Sequence, residues 1–129
     1  MANIKIFGNN ATIRAKRDAI STAIHASVME ALSYPPDKKF HRFIGLEPDN
    51  FIYPDDRSDQ YIIIEISMFE GRSVEAKKQL IRLLFDNLGE QADISKQDIE
   101  ITIFETPKEN WGIRGVPGDE LALNYKVEI

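Results

Sequence analysis

The sequence predicts an α/β (α+β) fold of two tandem β-α-β units. They form a four-stranded sheet with two helices on one face, followed by a C-terminal strand. Three observations lead to this expectation. A strand-helix-strand order occurs twice, at about 2–47 and 60–105, and a polar, turn-rich stretch separates the two occurrences. The extension 106–129 ends in an alternating apolar-polar run, Leu121 to Ile129. A chain of 129 residues fits one domain of this kind.

The first strand is expected at Ala2–Gly8, where Ile4 and Ile6 alternate with Asn3, Lys5 and Phe7. A helix follows from about Ile13 to Ser33, with Ile13, Ile20, Ile24, Val28 and Leu32 near one face. Tyr34-Pro35-Pro36-Asp37 stops it, because proline lacks an amide hydrogen and restricts its predecessor. A second strand is expected from about Phe40 to Leu46. After the turn-rich stretch, Tyr61–Ile66 reads as a central strand, β-branched and largely apolar on both faces. Ser73 is a plausible N-cap for a second helix that buries Leu80, Ile81, Leu84, Phe85 and Leu88, with Gly89 as its C′ residue. Ile99–Ile103 closes the second unit. A helix joining two strands makes them parallel, so both helices lie on one face of the sheet. Ile62, Ile64 and Ile66 cannot share a face with Tyr61 and Ile63, so the other face also needs cover. A symmetric homo-oligomer is the simplest cover.

Composition narrows the function. The net charge of −5 argues against general nucleic-acid binding, which needs basic patches. The absence of cysteine excludes disulfide and thiol chemistry and makes a cytoplasmic location the natural expectation. No apolar run is long enough to cross a membrane, and the start lacks the pattern of a signal peptide. His25 and His41 show no metal-ligand spacing, and neither a Walker loop, a GxGxxG nor a GxSxG is present, so no cofactor is expected.

Several cations and one ring stand out. Arg72 opens the second helix, where positive charge is unfavourable unless an anion is near; it is either a carboxylate ligand or a solvated surface residue. Arg114 lies between Gly112 and Gly115 and serves either a ligand or an ion pair with Asp119 or Glu120. Arg42 sits on an otherwise apolar strand and must face water, a partner or a ligand. Trp111, in a loop, either caps a pocket or packs at an interface.

Asp56-Arg57-Ser58-Asp59 before the third strand, Gly71-Arg72-Ser73, Glu109-Asn110-Trp111-Gly112 and the segment from Trp111 to Glu120 occur together over nearly the whole chain. As a set they resemble the tautomerase superfamily, especially its malonate semialdehyde decarboxylase-like branch, in a subgroup lacking the N-terminal proline. Element order alone would equally fit a ferredoxin-like fold. The resemblance implies the tautomerase fold, a homotrimer with sites at subunit interfaces, and proton transfer on a small 2-oxo or enol carboxylic acid by tautomerisation, decarboxylation or hydration. It places a substrate-binding arginine at Arg72 and, one residue out of register, a water- or proton-handling aspartate at Asp37. A second arginine of those relatives falls on Glu70 here. Family members usually work through an N-terminal proline, and position two here is Ala2. With Met1 removed, the Ala2 α-amine could act as the base or form an imine. The other reading is a non-catalytic trimer that binds a small anion or a protein partner.

Overall fold

Alternation along the strands decides which side of the sheet the helices cover. The computed structural model describes residues 2–122 and 126–129. Its main elements are β1 (Ala2–Asn9), α1 (Asn10–Leu32), β2 (His41–Leu46), β3 (Ile62–Phe69), α2 (Val74–Ala92) and β4 (Ile99–Thr106). The sheet order is β2-β1-β3-β4. The β1–β2 and β3–β4 pairs are parallel, and β1 and β3 run antiparallel between them. The two units are therefore joined back to back through their first strands.

Ile4 and Ile6 of β1 and Ile62, Ile64, Ile66 and Met68 of β3 all point to the helix side and are buried there. Against them pack Ile20, Ile24 and Leu32 of α1 and the stripe Leu80-Leu84-Leu88 of α2, spaced four apart so that one face enters the core. Between the helices, Asn87 Nδ2 donates to Ser27 Oγ at 2.9 Å, and Ser27 Oγ donates back to the Ala23 carbonyl at 2.8 Å.

Helix α1 ends as expected before the two prolines, with Ser33 in the left-handed region at φ 50°. Helix α2 starts at the expected cap: Ser73 Oγ accepts from the Ala76 amide at 3.1 Å. It ends later than expected. Gly89 lies inside α2, which continues to Ala92 and is capped by Asp93 at φ 53°. The reason is that the buried row runs on from Leu88 to Ala92 and Ile94, so one more turn extends the core. Lys16 Nζ of α1 donates to the Asp93 carbonyl at 3.0 Å, a cation placed at a helix C-terminus.

The expected terminal strand is also revised. Leu121, Ala122 and Lys126–Ile129 lie outside any strand, and 123–125 fall outside the described residues. Side-chain anchoring holds the end of the chain: Val127 is buried against Phe69, and the Ile129 carbonyl accepts from Ser73 Oγ at 2.9 Å. In place of that strand the extension forms a small ribbon, β5 (Gly112–Ile113) with β6 (Val116–Pro117).

The connection 47–61 is pinned. Phe51, Tyr53 and Tyr61 cluster with centroids 5.1 to 5.6 Å apart, Phe51 stacked on Tyr61 and edge to face with Tyr53. The Asp98 carboxylate accepts from the Ser58 amide at 2.8 Å and from its hydroxyl at 2.5 Å. The Asp59 carbonyl accepts from Thr12 Oγ1 at 2.8 Å and from Asn9 Nδ2 at 3.2 Å. Tyr61 is thus covered by the chain's own loop.

Two outcomes follow for stability. Ser73→Ala removes the α2 cap and the tie to Ile129, and should cost about 1 kcal/mol in urea unfolding; an unchanged midpoint would show that neither bond matters. His41, on the helix side of β2, is hydrogen-bonded through Nδ1 to Ser21 Oγ at 2.8 Å. Burial, then the charges of Lys39 and His25, push its pKa down from 6.5 to about 4. The folded state keeps a neutral ring, so this contribution is complete above pH 6.5 and is lost as pH falls from there through 4. His41→Asn should flatten the stability curve over that window, and a curve of unchanged slope would refute the assignment.

Candidate functional site

The face of the sheet turned away from the helices carries a cavity of about 330 Å³ near the start of β1. Asn3 and Lys5 of β1, Arg42 of β2, Ser67 of β3 and Thr106 of β4 line it, and Asn110, Trp111 and Gly112 close it from the loop after β4. Period-two alternation and register account for the grouping. Asn3 stands opposite Ser67, and Lys5 stands beside Arg42. A larger concavity of about 500 Å³ at the far end of the sheet is lined by Asp86, Glu90, Asp93 and Asp98 among others. Its four carboxylates outnumber its one cation, Lys96, and repel an acid ligand, so the smaller cavity, with two cations and no carboxylate in its wall, is the better candidate.

The loop that carries Trp111 is rigidly seated. Trp111 meets Phe69 edge to face, with centroids 5.2 Å apart, and packs with Val127 and Ile113 around that buried ring. The Gly118 amide donates to the Trp111 carbonyl at 2.6 Å. A Cβ at Gly118 would lie 2.5 Å from the Lys108 carbonyl and 2.9 Å from the Phe69 ring, so only glycine allows this approach.

Ala2 lies at the same end of the sheet. It is 3% exposed, pairs with Met68 across β3, and its nitrogen donates to the Tyr34 hydroxyl at 3.1 Å. The next amide on that edge, Ile4, donates to the Phe40 carbonyl at 3.0 Å. Tyr34 therefore supplies an acceptor where the β2 backbone has not yet begun. Arg72 is also at this end, 5% exposed, with Nη1 donating to the Phe69 carbonyl at 3.2 Å. It is neither a solvated surface side chain nor part of the cavity wall.

The structure thus brings Arg42 and Trp111 into one cavity, with Ala2 next in sequence to its wall residue Asn3 and Arg72 bonded to the carbonyl of Phe69, whose ring Trp111 touches. Two candidates stand apart. Arg114 is exposed at the two-residue turn of the β5–β6 ribbon, with φ 50° beside Gly115 at φ 89°, and makes no ion pair among the described residues. Asp37 is exposed in the turn after α1. Lys5, Asn3, Ser67, Thr106 and Tyr34 were not singled out from the sequence. The signal for the first three was present in the alternation of β1 and β3, but choosing them needed the register of β1 on β2 and β3. Among the described residues no group of three or more histidines, aspartates and glutamates could hold a metal, and no helix is long and apolar enough to cross a membrane.

Comparison with known proteins agrees with this architecture. The family model described as tautomerase enzyme matches residues 38–114. A 2-hydroxymuconate tautomerase of Comamonas testosteroni is 42% identical over 57 residues, which are 44% of this chain and 90% of that protein. A crystal structure of a malonate semialdehyde decarboxylase inhibited by 3-bromopropiolate is 25% identical, with TM-score 0.80 over 94% of this chain and 98% of that one. A fused 4-OT solved as an asymmetric trimer shares the fold at 15% identity, with TM-score 0.79 over 91% of this chain and 96% of that one. With the tandem β-α-β sheet and a family match spanning more than half of its length, the chain belongs to the tautomerase family.

Proposed function

We propose that this protein moves a proton on a small 2-oxo or enol carboxylic acid, using the α-amine of Ala2 once Met1 is removed. The observation that carries the reading is the position of Ala2, whose nitrogen donates to the Tyr34 hydroxyl at the end of the sheet where Arg42 and Trp111 line a cavity. An ordinary α-amine titrates near 7.7–8.0. An apolar surround or a neighbouring cation disfavours its charged form, and the neutral amine is the base this reaction needs. Such an amine takes the enol hydroxyl proton, and its conjugate acid returns a proton to carbon, giving the keto acid with atoms and charge balanced. Arg42 offers a fork that matches the substrate carboxylate, and Trp111 offers an apolar wall for the carbon skeleton. Arg72 bonds the carbonyl of Phe69, whose ring meets Trp111, and Asp37 lies on the exposed turn three residues after Tyr34, outside the cavity wall.

The working unit is a homotrimer. Phe7, Ile44 and Ile63 on the helix-free face are only half-buried and Phe104 is 48% exposed, so a second copy has apolar surface to cover. In that assembly the exposed turn carrying Arg114 is available to a neighbouring subunit's site. A non-catalytic trimer that binds a small anion is the second reading, favoured by the alanine at position two.

Purified protein shown by intact mass to have lost Met1 should ketonise phenylenolpyruvate or 2-hydroxymuconate above the buffer rate. Arg42→Ala should lower kcat/KM by roughly 10–100-fold. Background rates with a processed terminus, for both acids, would leave the anion-binding reading in place. Trp111 is the one tryptophan of the chain, so pyruvate should change the intrinsic fluorescence. An emission spectrum unmoved by the acid would place the ligand elsewhere. Light scattering should give about three times 14.7 kDa, and a stable monomer would remove the trimer.

A further inference from the structure

Lys5 and Arg42 are register partners on adjacent parallel strands, and both side chains belong to the face turned away from the helices. Neighbouring strands are about 4.8 Å apart, and like charges directly across a pair of strands destabilise it. Glu65 is the register partner of Lys5 on its other side, yet no ion pair joins them. Among the described residues neither Lys5 nor Arg42 has a hydrogen-bond or ion-pair partner. The chain as a whole carries −5. Two adjacent cations on a central strand and its neighbour, with Glu65 the one carboxylate in register beside them, run against that balance, and they sit within one cavity. Around them the wall offers neutral hydrogen-bonding groups, Asn3, Ser67, Thr106 and Asn110, and a single large ring, Trp111. At about 330 Å³ the space is at the small end of ligand cavities and suits a compact acid.

We infer that Lys5 is a ligand-binding residue, and that its ammonium and the Arg42 guanidinium together hold the carboxylate of a small 2-oxo acid. The two groups are not redundant. Arginine presents a planar fork to both carboxylate oxygens, whereas lysine is a compact point charge that reaches one oxygen from the side. The anion relieves the repulsion between the two cations, so binding stabilises the β1–β2 pair as well as the ligand. This inference shares its cavity with the proposed function but not its chemistry, since it needs no reactive amine.

The test is titration of the full chain with pyruvate, read by Trp111 fluorescence and by calorimetry, with pyruvamide as the neutral isostere. Wild-type protein should bind pyruvate and not pyruvamide, more weakly as salt rises. Lys5→Gln should raise the Kd about tenfold while keeping the assembly mass, and Lys5→Arg should restore most of the affinity. Pyruvate binding with these responses but no turnover on enol acids would uphold Lys5 and sink the catalytic reading. Unchanged affinity in Lys5→Gln, no pyruvate binding by the wild type, or a loss of assembly in Lys5→Gln would each overturn the inference. The last result would make a carboxylate of a neighbouring copy the true partner of Lys5.

Discussion

The whole molecule depends on the sidedness of the central strand pair. Ile4 and Ile6 on β1, and Ile62, Ile64 and Ile66 on β3, commit one face of the sheet to the helices. Because side chains alternate along a strand, that commitment fixes the opposite face too. A one-residue slip of β1 would turn Asn3 and Lys5 into the core and Ile4 and Ile6 out to solvent. Burying an unpaired ammonium among isoleucines costs several kcal/mol, so the register is secure, and with it the cavity wall. The site is in this sense a by-product of the core: its residues stand where the isoleucines leave them.

Much of this was legible in the sequence. The two β-α-β units, the central strand at Tyr61–Ile66, the stop at Pro35-Pro36 and the Ser73 cap all follow from local rules, and the structure has them. What failed was judged from local signals where tertiary packing decides. Gly89 looked like a helix end, but the buried row through Leu88, Ala92 and Ile94 carries α2 past it. The alternation of Leu121–Ile129 suggested a strand, whereas Val127 and Ile129 anchor individually to Phe69 and Ser73. For the site, residue type gave Arg42 and Trp111, but their meeting in one cavity depended on the order β2-β1-β3-β4, which no local pattern contains. Lys5 was hidden for the same reason. A lysine alternating with isoleucines reads as an exposed face until its neighbour across the strands is known.

Arg72 shows how burial and a backbone bond can accompany a charge at a helix start. The guanidinium lies buried and Nη1 donates to the Phe69 carbonyl at the end of β3. That bond ties the helix start to the strand end, at the residue whose ring meets Trp111. The Phe69 ring and the Gly118 approach seat Trp111, a wall residue of the cavity, which suits a site whose groups must be placed before a ligand arrives.

The antiparallel β1–β3 pair has a further consequence. It relates the two β-α-β units by an approximate two-fold axis, so the start of β3 mirrors the start of β1 at the opposite end of the sheet. A duplicated fold of this kind offers two equivalent hollows per chain. Near the start of β3 the rings of Phe51, Tyr53 and Tyr61 cluster, all drawn from the chain itself. One half of the repeat carries the cation-bearing cavity and the other an aromatic cluster, so the symmetry survives in the backbone while the side chains at its two ends have diverged.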